Sequence, residues 1–184
     1  MKKILKKIKH SFEEYFRTCT YKRRCRRLNI KYKKGVVIGK NVKKLSKFVN
    51  VVVSENTKIH DGVVLWGDGT IIIGENSSIG ENGWIYANKN GGVTIGNNVN
   101  CAAFVYIMDS DHGMKLGVPM NIQPMNSLKI IIGNDVWIGA NVTILKGAQI
   151  HDGCVIGACS CVTKSFDENS IVCGVPAKKI RSRD

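Results

Sequence analysis

IIGNDVWIGANVTILKGAQIHDGCVIGACSCV, residues 131–162, returns an aliphatic side chain at every sixth position: Ile132, Ile138, Ile144, Ile150, Ile156 and Val162. A helix brings its apolar face back at three and four residues and a strand at two, so a count of six indicates internal repetition. Two residues before the next aliphatic stand Val136, Val142, Ala148, Cys154 and Ser160, all small or β-branched. A spacing of two puts both on one side of a short strand. Between them come Asp135, Asn141, Gly147 and Gly153, residues that tolerate positive φ or bond to nearby backbone. Each hexad reads as a short strand followed by a corner.

The same count runs upstream through Val53, Ile59, Leu65 and Ile71, then Ile73, Ile79 and Ile85, then Ile95, Cys101 and Ile107. VVIGKNV at 36–42 reads as the opening hexad. The phase slips slightly near residue 72, more at NKNGG, and most between Ile107 and Ile132. Three strands and three corners close one triangular coil, and stacked coils bury a continuous aliphatic ladder. The span 36–176 predicts roughly six coils.

A chain of 184 residues with 43% hydrophobic content suffices for one domain. Nineteen glycines against three prolines suit many corners. No apolar run approaches the length of a spanning helix, and the basic start lacks the apolar centre of a signal peptide. Seven cysteines without a C-x-x-C pair point to a reduced, cytoplasmic protein, with Cys101, Cys154 and Cys161 as small fillers. The competing reading, a cysteine nucleophile or metal site, lacks the usual ligand spacing.

Charge is concentrated at the start. Residues 1–34 hold 14 of the 28 Lys and Arg against only Glu13 and Glu14. Ile4, Leu5, Ile8, Phe12, Tyr15, Phe16 and Cys19 fall on one helical face, and YKRRCRR follows at 21–27. This predicts a basic amphipathic helical segment over 1–34, followed by the repeat domain over 35–184. Such a helix either lies on an anionic membrane surface or caps the open end of the coils. Nonspecific nucleic-acid binding is a third reading, but no recognition motif accompanies the charge.

The four histidines divide by context. His10 lies on the polar side of the basic segment. His60 and His151 both occur in IHDG, in the slot filled elsewhere by Gly133, Gly139 and Gly157, and read as corner residues. His112 stands outside the hexad register, between Asp109 and Asp111, in an excursion near 108–129. Long loops in compact domains carry function or are disordered. GVPMNIQPMNS, with two of the three prolines, suggests a shaped arm.

IIGNDVWIGANVTILKGAQIHDGCVIGACSCVTKSF followed by IVCGVPAKKIRSR is similar to the C-terminal half of sugar O-acetyltransferases of the hexapeptide-repeat acyltransferase family. That group includes galactoside and maltose acetyltransferases and enzymes that acetylate capsule or lipopolysaccharide sugars. The resemblance covers about 36–183. It implies an all-β fold, a left-handed parallel β-helix, a hand opposite to that usual for parallel crossovers. It further implies acetyl-CoA as cosubstrate without a metal, a homotrimer with active sites between subunits, and a carbohydrate acceptor.

His112 lies sixteen residues after Gly96 of VTIGNNV, the spacing the family has for its catalytic histidine. An imidazole, which titrates at about pH 6.5 when unperturbed, suits proton removal from an alcohol at neutral pH. A carboxylate on the other ring nitrogen would fix the tautomer, and Asp109 and Asp111 are both candidates. Asn82 matches a family asparagine at the acceptor or reacting centre, or is an ordinary corner. Trp137 matches an aromatic beside the cleft, or is a subunit contact. Ala140 and Ala158 match positions where backbone meets the coenzyme arm. Thr163, Lys164, Lys178 and Arg181 match the region that holds its phosphates and adenosine, the competing reading being a solvated basic tail. Two departures stand out: Asp167 and Glu168 replace the usual proline pair after VTK, and the N-terminus is unlike that of the maltose and galactoside enzymes.

The functional expectation is an acetyl-CoA-dependent O-acetyltransferase acting on a sugar of a surface polysaccharide or its precursor. The alternatives are acetylation of an amino sugar, serine or antibiotic, a zinc hydrase on the same fold, and a noncatalytic membrane-associated scaffold. The protein is expected in the cytoplasm, with a peripheral position on the inner face of the membrane as the variant that the basic segment suggests.

Overall fold

The computed structural model describes residues 22–184. The amphipathic face at residues 4–19 therefore lies outside the described residues. Residues 22–27 are helical, and almost everything after them is parallel β-structure.

Three parallel sheets form the faces of a prism. The first runs from Lys31–Tyr32 through Asn50–Val53, Thr70–Ile73, Val93–Ile95 and Ile130–Ile132 to Gln149–Ile150. The second begins at Val37–Ile38 and reaches Ser170–Cys173, onto which Lys178–Ser182 folds antiparallel. The third runs from Lys43–Lys44 to Cys161–Val162. The coils thus begin at Lys31, a few residues ahead of the boundary expected at 35. The predicted three-strand coil is present: Ile132 pairs with Ile150, Ile138 with Ile156 and Ile144 with Val162.

The hexad aliphatics are the core. Ile59, Ile79, Cys101, Ile138 and Ile156 stack inside the second sheet, and Leu65, Ile85, Ile107 and Ile144 inside the third, all essentially buried. Each fully buried isoleucine contributes roughly 1.5–3 kcal/mol through apolar surface removed from water. At the corners the backbone turns through positive φ, carried mostly by asparagine at Asn41, Asn56, Asn76, Asn82, Asn98 and Asn141. Asparagine visits that region readily because its side chain bonds locally. One column of corner side chains also ties coil to coil. Asn97, Asn134 and Asp152 each accept a backbone N–H from the coil below, at Glu75, Asn97 and Asn134.

Both described ends are capped. At the first coil Cys25 joins the core, and the Arg24 guanidinium donates to the Ile38 carbonyl at 2.8 Å. At the last coil Phe166 and Ala177 cover the ladder, and Arg183 reaches back to the Asp135 carboxylate and the Gly153 carbonyl. Among the described residues no helix is long and apolar enough to cross a membrane.

The phase slips share one location. All leave the prism at the corner between the third and first sheets. The small slip, expected near residue 72, lies instead at Gly67–Gly69, so that Ile71 and Ile73 both point inward. The next coil bulges at Asn88–Gly92, and the one above carries the long excursion. These loops stack into a ridge. Asp68 accepts the Lys89 N–H at 2.9 Å, and Asp109 from above accepts the N–H groups of Asn88 and Gly92.

Candidate functional site

The excursion is a built arm. It leaves strand Tyr106–Met108, and Ser110–Asp111 pairs antiparallel with Asn126–Ser127. Gln123 staples its far end, accepting the Lys115 N–H and donating to the carbonyls of Lys115 and Val118. The arm rejoins the prism where the Leu128 N–H meets the Asp109 carbonyl and Gly147 N–H meets the Leu128 carbonyl. His112 follows the short strand pair directly and is exposed. Its ring has no side-chain hydrogen-bond partner among the described residues.

The two flanking aspartates separate in role. Asp109 is buried, and its carboxylate is occupied by the amides of Asn88 and Gly92. Burial pushes its carboxyl above the ordinary range, partly offset by those amides. It therefore locks the ridge to the arm's base and does not sit on the His112 ring. Asp111 meets the Lys146 ammonium at 2.9 Å, with side chains 37% and 17% exposed respectively. This pair fixes the backbone immediately before His112 to the strand–corner at Thr143–Leu145. Lys146 was not legible as a site residue. Its only signal is a lone cation ahead of the tight Gly147 corner.

Asn82 occupies a corner at φ +54°, and its Oδ1 fills the space where a side chain on Gly62 would stand. That is the corner geometry. Its side chain is exposed, one coil below Phe104 and two below Asn141 in the same column. Trp137 lies on the outer side of the second sheet, 56% exposed, between Asn100 and Val155. Ala140 and Ala158 succeed one another at the corner beside it, where the Cys159 N–H bonds the Ala140 carbonyl. Beyond Cβ these positions offer only backbone. The neighbouring glycines cannot enlarge: a Cβ on Gly139 would stand 2.6 Å from the Ala158 nitrogen. Thr163, Lys164, Lys178 and Arg181 are exposed at the last coil, Lys164 lying over the Phe166 ring and Arg181 near Asp184. An exposed indole and a side-chain-poor corner thus adjoin at the edge of the second sheet, and a group of cations lies at the last coil. A coenzyme with an apolar pantetheine arm and anionic phosphates fits that chemistry.

An aromatic panel was also missed. Trp66, Trp84, Tyr86 and Tyr106 project outward from the third sheet, with Trp66 edge-on to Tyr86 at 5.2 Å and to Trp84 at 6.2 Å. The signal was present in the alternate positions of each strand, but the inward hexad count passes over them. Trp66 is 43% exposed, and the buried indole N–H of Trp84 lacks an acceptor among the described residues. The arm adds exposed Met114, Leu116 and Met120. No three His, Cys, Asp or Glu side chains converge as a metal site would require, among the described residues.

Comparison with known proteins matches residues 129–164 to the family described as bacterial transferase hexapeptide (six repeats). Residues 70–108 match the hexapeptide repeat of succinyl-transferase. The chain is 35% identical over 124 residues to WbbJ of Escherichia coli K12, named as a candidate lipopolysaccharide biosynthesis O-acetyl transferase, covering 63% of this chain and 62% of WbbJ. It is 42% identical over 114 residues to the galactoside O-acetyltransferase of the same organism, covering 59% of this chain and 55% of that protein. The matches thus span less than two thirds of these relatives' length. Among solved structures, a variant of AntD, an N-acyltransferase from Bacillus cereus in complex with dTDP and coenzyme A, aligns with a TM-score of 0.73 at 25% identity. It covers 84% of each chain.

Proposed function

Taking the chain as a hexapeptide-repeat protein, we propose that it is an acetyl-CoA-dependent O-acetyltransferase. Its acceptor is a sugar hydroxyl of a surface polysaccharide or of that polysaccharide's precursor, modified in the cytoplasm. The observation that carries this reading is His112 itself: an exposed imidazole held off the prism on a stapled arm whose base is bonded at Asp109 and Asp111. The likeness to WbbJ and to the galactoside enzyme supports the sugar acceptor.

His112 takes the proton from the acceptor hydroxyl at a ring nitrogen, making the oxygen nucleophilic as the new ester bond forms. Such general-base help is worth roughly 10²–10⁴ in rate. The orienting of the ring falls to the strand pair and the Asp111–Lys146 bridge rather than to a carboxylate in direct contact. Acetyl-CoA would supply the acetyl group as an activated thioester, whose C–S bond breaks as the ester C–O bond forms, and the proton held by His112 goes to the departing thiolate. Trp137, Ala140 and Ala158 line its arm, while Thr163, Lys164, Lys178 and Arg181 take its phosphate end. Asn82 holds the acceptor beside the same corner.

One protomer supplies one wall of such a site. Trp66 of the aromatic panel and Met114, Leu116 and Met120 of the arm, exposed in the isolated chain, support a homotrimer in which the second wall comes from a neighbour. An amine acceptor is the second reading, favoured by the likeness to AntD, which is named as an N-acyltransferase. It differs in that an amine rather than a hydroxyl gives up the proton.

His112→Ala is expected to abolish acetyl transfer to a sugar panel while sedimentation shows the same assembly. Near-normal turnover in that variant would remove the base from the mechanism.

A further inference from the structure

Around the first two coils and the helix at 22–27 lies a half-open cavity of about 1170 Å³. It is lined by Lys22, Arg24, Lys33, Lys34, Lys40 and Lys58. Among the described residues the only carboxylate in its wall is Asp61, whose Oδ1 is engaged by the Lys40 N–H at 2.7 Å. Lys33 lies 3.9 Å from Glu75 outside the cavity. Lys22, Lys34, Lys40 and Lys58 form no ion pair among the described residues.

The fold brings these cations together from separated places. Lys33 and Lys34 enter the first corner, where the Asn56 N–H bonds the Lys34 carbonyl. Lys58 stands beside Val37 in register on the second sheet. Lys40 sits at the next corner, below Asp61. The helix adds Lys22 and Arg24, the latter anchored to the Ile38 carbonyl, which fixes the wall. Like charges gathered in one concavity repel, and a cavity wall focuses their field. An anion entering would relieve that repulsion.

The set also speaks to which anion. Among the described lining residues the one guanidinium donates to the Ile38 carbonyl, so the ammonium groups are the main donors facing the cavity. Five ammonium groups, each a point charge with rotatable donors, suit the distributed charge and many oxygens of phosphate. We propose that this cavity binds a phosphate-bearing ligand, either a soluble diphosphate or the headgroups of an anionic lipid surface. This site goes beyond the acetyl-transfer reading and does not depend on it.

The test uses the full chain. Calorimetry with inorganic pyrophosphate and co-sedimentation with phosphatidylglycerol vesicles, against phosphatidylcholine alone, separate the two sources. The variant is Lys34→Gln/Lys40→Gln/Lys58→Gln, three exposed side chains whose loss leaves the core intact. Lys89→Gln/Lys115→Gln/Lys129→Gln, three exposed lysines elsewhere, is the control of equal charge change. Binding to pyrophosphate or to the anionic vesicles, weakened on the order of a hundredfold in the triple variant and not in the control, supports the site. Pyrophosphate alone identifies a soluble ligand, and vesicles alone identify lipid. Absence of both, equal loss in the control, or equal competition by duplex DNA in wild type and triple variant would overturn it. Thermal melts of the variants verify that the fold is retained.

Discussion

Replacing Asp109 with alanine isolates the element on which the arm stands. The carboxylate is buried and accepts the N–H groups of Asn88 and Gly92. Alanine leaves both donors buried without an acceptor. Each such orphan costs about 1–3 kcal/mol, so the pair costs about 2–6 kcal/mol. For a chain of this size that is a fall in Tm of roughly 5–20 °C. The loss should localise first to the ridge, where hydrogen exchange at Asn88 and Gly92 would accelerate before the ladder opens. Activity should fall with it, because the arm that presents His112 starts at this residue. Asp109→Asn keeps one acceptor and should lie between. The sign of its pH dependence is also determined. Burial raises the carboxyl in the fold, so the folded state holds a proton where the unfolded chain has lost it. Stability from this group then falls as pH rises from the ordinary carboxylate value through the raised one, and Asp109→Asn lacks that fall. A variant Asp109→Ala that melts within about 1 °C of wild type, with unchanged exchange at both amides, would refute the assignment. If the same variant also lost turnover with an altered pH profile, Asp109 would be returned to the His112 ring.

Lys146→Met removes the cation that holds Asp111 at 2.9 Å. It should lower kcat roughly three- to tenfold through a misplaced His112, while coenzyme affinity stays constant; an unchanged kcat would deny the bridge a positioning role. Gly62→Ala forces a side chain into a φ of +74° and against the Asn82 Oδ1. A cost of about 2 kcal/mol is expected in urea titration, and a silent substitution would show that the corner column is loose. Burial pushes the Cys101 thiol up to about 12. Iodoacetamide at pH 8 should therefore label exposed Cys159 and Cys173 and spare Cys101, and equal labelling by mass spectrometry would mean the ladder is open.

The hexad aliphatics, the corner residues and the three-strand coil were all legible in the residue order. Each depends on neighbours a few positions away, and a period of six repeats the same local instruction at Ile132, Ile138 and Ile144. The break at His112 was visible for the same reason, as a place where the instruction stops. What the residue order could not carry is phase accumulated over whole coils. Only the folded prism put the three irregularities of residues 67–69, 88–92 and 109–129 at one corner, stacked as a ridge. That stacking decided between two aspartates that look alike in sequence. Asp109 turns inward to amides about twenty positions earlier in the chain, and Asp111 turns to a lysine far downstream. Lys34, Lys40 and Lys58 likewise line one cavity because adjacent coils stand a single strand spacing apart, about 4.8 Å, which sets Lys58 beside Val37 between the other two. Local periodicity therefore sufficed for the scaffold, whereas the partners of charged and polar side chains were set by which corner each turn of the coil reached.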